Sequence, residues 1–194
     1  MTALEKGITA NGTGYGGKTW NILGQVYFPK AVTESTFAFE TNSDPGQFVP
    51  VHIHPTQDEF ILVQEGTLDL KLDGKWVKAH AGDLVRLPRG IPHGYFNKSD
   101  KPARALFWVS PMQKLEALFN QLHNLTDPAE VVRVSALHEV DFLPPEANDQ
   151  AKQPGKSPSA STFICLPVRR PRLAAERGRL RAKHIDCEPS HGQP

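Results

Sequence analysis

Four side chains in this sequence have the types and the spacing to meet at one metal ion. His52 and His54 are separated by a single residue, Glu59 follows after Pro55-Thr56-Gln57-Asp58, and His93 ends the run Pro88-Arg89-Gly90-Ile91-Pro92. Successive side chains of an extended chain point to opposite faces, so His52 and His54 point the same way. A short turn and an adjacent antiparallel strand are expected to carry Glu59 back to the pair. Ahead of His93, Gly90 admits backbone angles that other residues avoid, and Pro88 and Pro92 fix theirs. Three neutral imidazoles and one carboxylate suit a divalent first-row transition metal, and on an octahedral ion two positions stay open. Iron, manganese, nickel, cobalt and copper all fit. Zinc is also compatible, although a four-coordinate zinc would be closed by this set. Core packing explains a lone histidine easily and this constellation poorly. His80, His123, His138, His184 and His191 have no such company.

The elements that must position these residues read as strands. Runs around WNILGQVYF and STFAFE come first, with Phe37 and Phe39 alternating against Thr36, Ala38 and Glu40 at the period of a half-buried strand. Val49–His54, Glu59–Gln64, Thr67–Leu72, the segment KWVKAH, the segment DLVRLP, Ile91–Phe96 and Ala103–Ser110 follow. Asp73-Gly74 is a two-residue hairpin signal between two of them. About nine or ten short strands with turns at short intervals predict a closed or sandwiched all-β fold. Gly12, Gly14 and Gly17 spell G-x-G-x-x-G, but the motif lacks the strand before it and the helix after it that dinucleotide binding needs.

From Pro111 the period changes. Met112, Leu115, Leu118, Phe119 and Leu122 recur at helical spacing, and Asp127-Pro128 caps a second helix running to about His138. These two helices are expected to cover one flank or the mouth of the barrel, and VDFLPP to close the ordered part. Residues 146–194 are rich in Pro, Ser, Lys and Arg and read as a disordered basic tail, with a short helix near 171–183. The organisation expected is therefore an arm over 1–19, a β-barrel over 20–110, helices over 111–145 and a tail over 146–194.

Composition narrows the function classes. With 22 Lys and Arg against 21 Asp and Glu, the net charge of +1 gives no reason to expect nucleic acid or an anionic membrane as partner. No apolar run approaches a membrane span, the N-terminus lacks an apolar signal core, and a cytoplasmic protein is expected. The two cysteines, Cys165 and Cys187, suggest neither a disulfide framework nor a zinc site.

Gly46-x5-His52-x-His54-x4-Glu59-x6-Gly66 resembles the first cupin motif at every defined position. Gly82-x5-Pro88-x-Gly90-x2-His93-x3-Asn97 resembles the second. The resemblance covers about residues 20–110. It implies a double-stranded β-helix, the jelly-roll cupin barrel, with His52, His54, Glu59 and His93 as ligands of one divalent ion near its open mouth. It also implies a homodimer. The barrel followed by two helices resembles single-domain cupins of the quercetin 2,3-dioxygenase type, which implies a dioxygenase cleaving a small aromatic or flavonol-like substrate, with Glu59 doubling as a general base. Phe37, Phe39, Tyr95, Phe96 and Trp108 are candidates for an apolar substrate wall. The same ligands would serve a non-oxidative isomerase, lyase or decarboxylase, for which Lys71 and Arg86 could supply positive charge, or a non-catalytic binding protein.

Overall fold

The computed structural model describes residues 4–149. Eleven strands form two antiparallel sheets. They are β1 (Trp20–Ile22), β2 (Gln25–Val32), β3 (Phe37–Ser43), β4 (Phe48–Ile53), β5 (Asp58–Glu65), β6 (Thr67–Leu72), β7 (Lys75–His80), β8 (Leu84–Leu87), β9 (His93–Phe96), β10 (Ala103–Ser110) and β11 (Asp141–Phe142). The first sheet runs β1-β2-β3-β10-β5-β8 and the second β11-β4-β9-β6-β7. Alternation dictates what each sheet buries. On β10, Ala103, Ala105, Phe107 and Val109 face inward, and on β5 Ile61 and Val63 do. From the other sheet, Val51, Leu68, Leu70 and Tyr95 complete the core. Asp73 and Gly74 both adopt positive φ in the β6–β7 hairpin, as a two-residue Asp-Gly turn requires. This is the all-β jelly-roll that the cupin resemblance implies.

Two helices, α1 (Leu115–Leu122) and α2 (Pro128–Ala136), follow the barrel. Asp127 caps α2 by accepting from Ala129 N at 3.0 Å, with Pro128 at the first helical position. The apolar stripe of α1 meets the start of the barrel. Phe119 packs edge-on against Trp20 at 5.5 Å and Phe37 at 5.4 Å, and the Trp20 indole donates to Asn120 Oδ1 at 3.1 Å. His123 Nδ1 accepts from Asn21 N and His138 Nδ1 donates to Val134 O, which accounts for two histidines outside the centre as structural. The chain before β1 is tied down through the buried Glu40, which accepts from Gly12 N and pairs with Lys30 and Arg104.

The chain departs from the sequence reading in four places. The strand expected from Ile91 begins at His93, because Pro92 has no N–H to give a ladder. The second helix stops at Ala136. The VDFLPP run holds a further strand, β11, paired to β4. Past it, α3 (Glu146–Asp149) forms where the tail was expected to begin, and Asn148 Oδ1 accepts from Val51 N at 2.9 Å. The remainder of the expected tail, with its helix near 171–183, lies outside the described residues.

Candidate metal centre

His52, His54, Glu59 and His93 come together. One donor atom from each lies within 4.8 Å of the others, and all four residues are buried. The route differs from the expected one. Glu59 sits on β5, which pairs with β10 and β8 and not with β4. The carboxylate therefore reaches the histidines across the gap between the two facing sheets. His52 and His93 are cross-strand partners on β4 and β9.

A bulge makes that pairing possible. The β4–β9 register shifts between Val49 and His52. This is the disturbance an extra residue in one strand produces, and it re-aims the side chains beyond it. Opposite it, Gly94 leaves room for the displaced backbone, since a Cβ there would lie 2.9 Å from Val49 O and 3.0 Å from Val51 N. The Pro50 carbonyl then meets His52 Nδ1 at 2.8 Å. Gly90, at φ +78°, turns the loop before β9 and donates from its N–H to His54 O at 2.9 Å.

Each imidazole is oriented through its Nδ1. Carbonyls of Pro50 and Ile91 accept from His52 and His93. His54 Nδ1 faces Gln57 Oε1 at 3.0 Å. The Gln57 amide nitrogen donates to the carbonyls of Pro111 and Met112, so its oxygen is the atom left for His54. With Nδ1 carrying the proton, the neutral Nε2 atoms present lone pairs. Two of these meet the same carboxylate oxygen, with Glu59 Oε2 at 2.9 Å from His93 Nε2 and 3.4 Å from His54 Nε2. Acceptors converge there on acceptors, an arrangement that only a proton or a cation between them makes favourable. The donor set and its orienting carbonyls thus fit a divalent metal.

Burial pushes the His52 imidazole well below its ordinary value, and the nearby His93 and His54 push it further. Burial also lowers His54, but the hydrogen bond and charge of Glu59 outweigh it and leave His54 raised. For Glu59, burial would raise the carboxyl, but the hydrogen bonds and charge of His54 and His93 hold it well below the usual carboxylate range. Beside it, half-buried Asp58 and exposed Arg89 form a two-point ion pair that braces the loop leading to His93.

The centre opens on a cavity of about 480 Å³. His52, His54 and Glu59 form part of its wall, and the rest is mostly apolar. Phe39, Phe107 and Tyr95 come from the barrel, Leu115, Leu118 and Phe119 from α1, and Val131 from α2. The helices thus line the mouth with their apolar stripes. Of the five aromatic residues expected in a substrate wall, Phe39 and Tyr95 line the cavity. Phe37 is a core residue packed among Trp20, Phe39 and Phe119, and is absent from the lining. Phe96 and Trp108 face outward. Phe96 stacks on the exposed Phe48, and Trp108 stacks on Phe60, each on the outer side of its sheet. Arg86 stands on an outer face, Lys71 is buried on the side of β6 opposite Leu68 and Leu70 with its ammonium 5.0 Å from the Trp76 ring, and no lysine or arginine lines the cavity among the described residues.

Sequence reasoning missed Gln57, read only as part of a turn, and the chain Gln25–Tyr27–Tyr95 on the cavity wall. Gln25 Nε2 donates to Ser43 Oγ at 3.0 Å, Tyr27 donates to Gln25 Oε1 at 3.0 Å, and the two tyrosine hydroxyls lie 3.4 Å apart. The alternation of β2 marks Gln25 and Tyr27 as inward, but nothing in the sequence marks them as a pair.

Comparison with known proteins points one way for the fold and several ways for the chemistry. The family model described as "Cupin domain" matches residues 39–109. A protein named polyketide synthase CurC from Streptomyces cyaneus is 35% identical over 68 residues, which is 35% of this chain and 44% of that protein. Quercetin 2,3-dioxygenase from Bacillus subtilis (strain 168) is 39% identical over 56 residues, 29% of this chain and 17% of the enzyme. The chain spans less than half the length of each of these relatives. Among solved structures, an RmlC-like cupin from Shewanella frigidimarina NCIMB 400 superposes with a TM-score of 0.51 at 18% identity, covering 58% of this chain and 97% of that one.

Proposed function

Since the chain is a member of the cupin superfamily, we propose that it is a metal-dependent dioxygenase acting on a small aromatic, flavonol-like substrate, with His52, His54, Glu59 and His93 as the metal ligands. The observation that carries this reading is the continuity of the four-residue group with an apolar cavity walled by aromatic rings. A cavity of this size and character suits a flat, drug-sized aromatic molecule. The absence of lysine and arginine from its described wall argues against the polar, anionic substrates of the non-oxidative alternatives. The match to a quercetin 2,3-dioxygenase gives the substrate class further support.

A divalent iron, manganese, nickel, cobalt or copper ion at this group would supply Lewis acidity and a path for electrons between the aromatic substrate and dioxygen. The chain's own residues do the rest. Phe39, Phe107 and Phe119 offer ring faces and edges to a planar substrate and exclude water from it. Glu59, on the cavity wall beside the imidazoles, is placed to take the proton of a substrate hydroxyl at its carboxylate. Nδ1 hydrogen bonds to Pro50, Gln57 and Ile91 keep the three imidazoles in the tautomer that leaves Nε2 free.

Oxygen uptake by protein loaded in turn with each metal, with quercetin as substrate, tests the reading. Uptake is expected with at least one metal. Glu59→Gln is expected to lower it by about 10²-fold or more while metal content, measured by elemental analysis, stays above half of the parent's. Fully loaded protein that consumes no oxygen with any of the metals would overturn the dioxygenase assignment.

A further inference from the structure

Helix α2 turns Val131, Val134 and Ser135 inward. Ser135 is out of place in that company. It is 1% exposed, it lines the cavity, and its hydroxyl has no hydrogen-bond partner. A serine in a helix ordinarily returns its hydroxyl to a carbonyl one turn earlier, and this one does not. Alanine would occupy the position with a better helix propensity and no polar atom to desolvate. The other polar groups on the wall are already engaged. Gln25 is held by Ser43 and Tyr27, and Tyr27 by Gln25 and Tyr95. Among the described residues that line the cavity, Ser135 contributes the one buried side-chain polar atom left unpaired.

We propose that Ser135 is a specificity-determining residue whose hydroxyl hydrogen-bonds the ligand of this cavity. The ligand is then an apolar aromatic molecule with two polar points, an oxygen group that meets the His52–His54–Glu59–His93 group and a separate hydroxyl that meets Ser135. This rests on the reading of the cavity as the site of an aromatic, metal-chelating substrate, and it adds the second recognition point. A hydroxyl both donates and accepts, so Ser135 accommodates a ligand hydroxyl in either sense. A buried polar group also discriminates strongly against a ligand that leaves it unpaired.

The test is equilibrium binding to metal-loaded protein without oxygen, read by the absorbance shift of the ligand. The probes are 3-hydroxyflavone and its derivatives with one further hydroxyl, placed in turn at each free ring position. At least one derivative is expected to bind the parent protein about tenfold more tightly than 3-hydroxyflavone. In Ser135→Ala that advantage is expected to shrink to less than about twofold, with 3-hydroxyflavone itself bound as before. If 3-hydroxyflavone binds but no derivative gains an advantage that depends on Ser135, the proposal is overturned and the aromatic-substrate reading stands. If no probe binds loaded protein, that reading fails and the role of Ser135 falls with it. Thermal melting of ligand-free Ser135→Ala gives a separate check. An unchanged or higher midpoint is expected, and a drop of several degrees would mean that the hydroxyl has an internal partner, which also overturns the proposal.

Discussion

Gln57 has no place among the four ligands, yet it determines which nitrogen His54 shows to them. Two main-chain carbonyls fix its amide, its oxygen takes the Nδ1 proton, and Nε2 is left toward Glu59. Gln57→Met keeps most of the side-chain volume and removes this constraint. Metal affinity, measured by competition with a chelator, should fall about 10- to 100-fold, while circular dichroism stays that of the parent. Equal affinity in the two proteins would mean that His54 is oriented by packing alone. The four candidate ligands were legible in the sequence because convergence on one ion demands particular residue types at particular spacings. Gln57 was not, because a hydrogen-bond partner three residues away leaves no spacing signature. The aromatic wall was legible only in part. Phe39 and Tyr95 line the cavity while Phe96 and Trp108, equally aromatic, stand on outer faces. Alternation shows that neighbours such as Tyr95 and Phe96 point oppositely, but it does not tell which of them points in.

At the scale of elements, the centre depends on how β4 and β9 pass each other. The bulge at Pro50 presents a carbonyl to His52, and Gly94 is the space into which that bulge fits. A methyl group at Gly94 would meet main-chain atoms, which cannot rotate away as a side chain could. Gly94→Ala should therefore move β4 by a few tenths of an ångström and lower metal occupancy at limiting metal, with all four candidate ligands intact. Parent-like occupancy would show that the strand absorbs the methyl without moving His52. The strands themselves were largely readable, since each is a short alternating run bounded by turn residues. Their partners were not. The expectation that Glu59 returns on a neighbouring strand failed because the four-residue link between β4 and β5 crosses to the opposite sheet, and that choice is made by contacts far apart in sequence. The two-residue strand β11 was too short to show any period.

For the molecule as a whole, the buried tyrosines couple the cavity to global stability. Burial pushes Tyr27 up to about 12, with the hydrogen bond from Tyr95 acting the other way, and burial with the neighbouring Tyr27 raises Tyr95 well above its ordinary value. An unfolded tyrosine titrates near 10. Between pH 10 and pH 12 the unfolded chain therefore loses protons that the folded chain keeps, and stability falls as pH rises through that window. Below pH 10 this contribution is fully present. For Tyr27 alone the loss is on the order of 2 kcal/mol by pH 12. Melting curves taken from pH 9 to 12 should show a shallower decline for Tyr27→Phe than for the parent, and parallel declines would remove Tyr27 as their cause. A different consequence follows from the place of β11. It is the last strand among the described residues and the outer neighbour of β4, where it pairs with His52 and Ile53. While the protein is being synthesised, the preceding strand, β10, ends at Ser110, and the residues that cover β4 come about 30 residues later. At about 5–20 residues per second this is a delay of roughly two to six seconds. During it, the histidine-bearing strand has a free edge, open to pairing with other nascent chains on the same messenger. Ribosome spacing and the rate of translation through this stretch thereby become determinants of how much of the protein escapes aggregation.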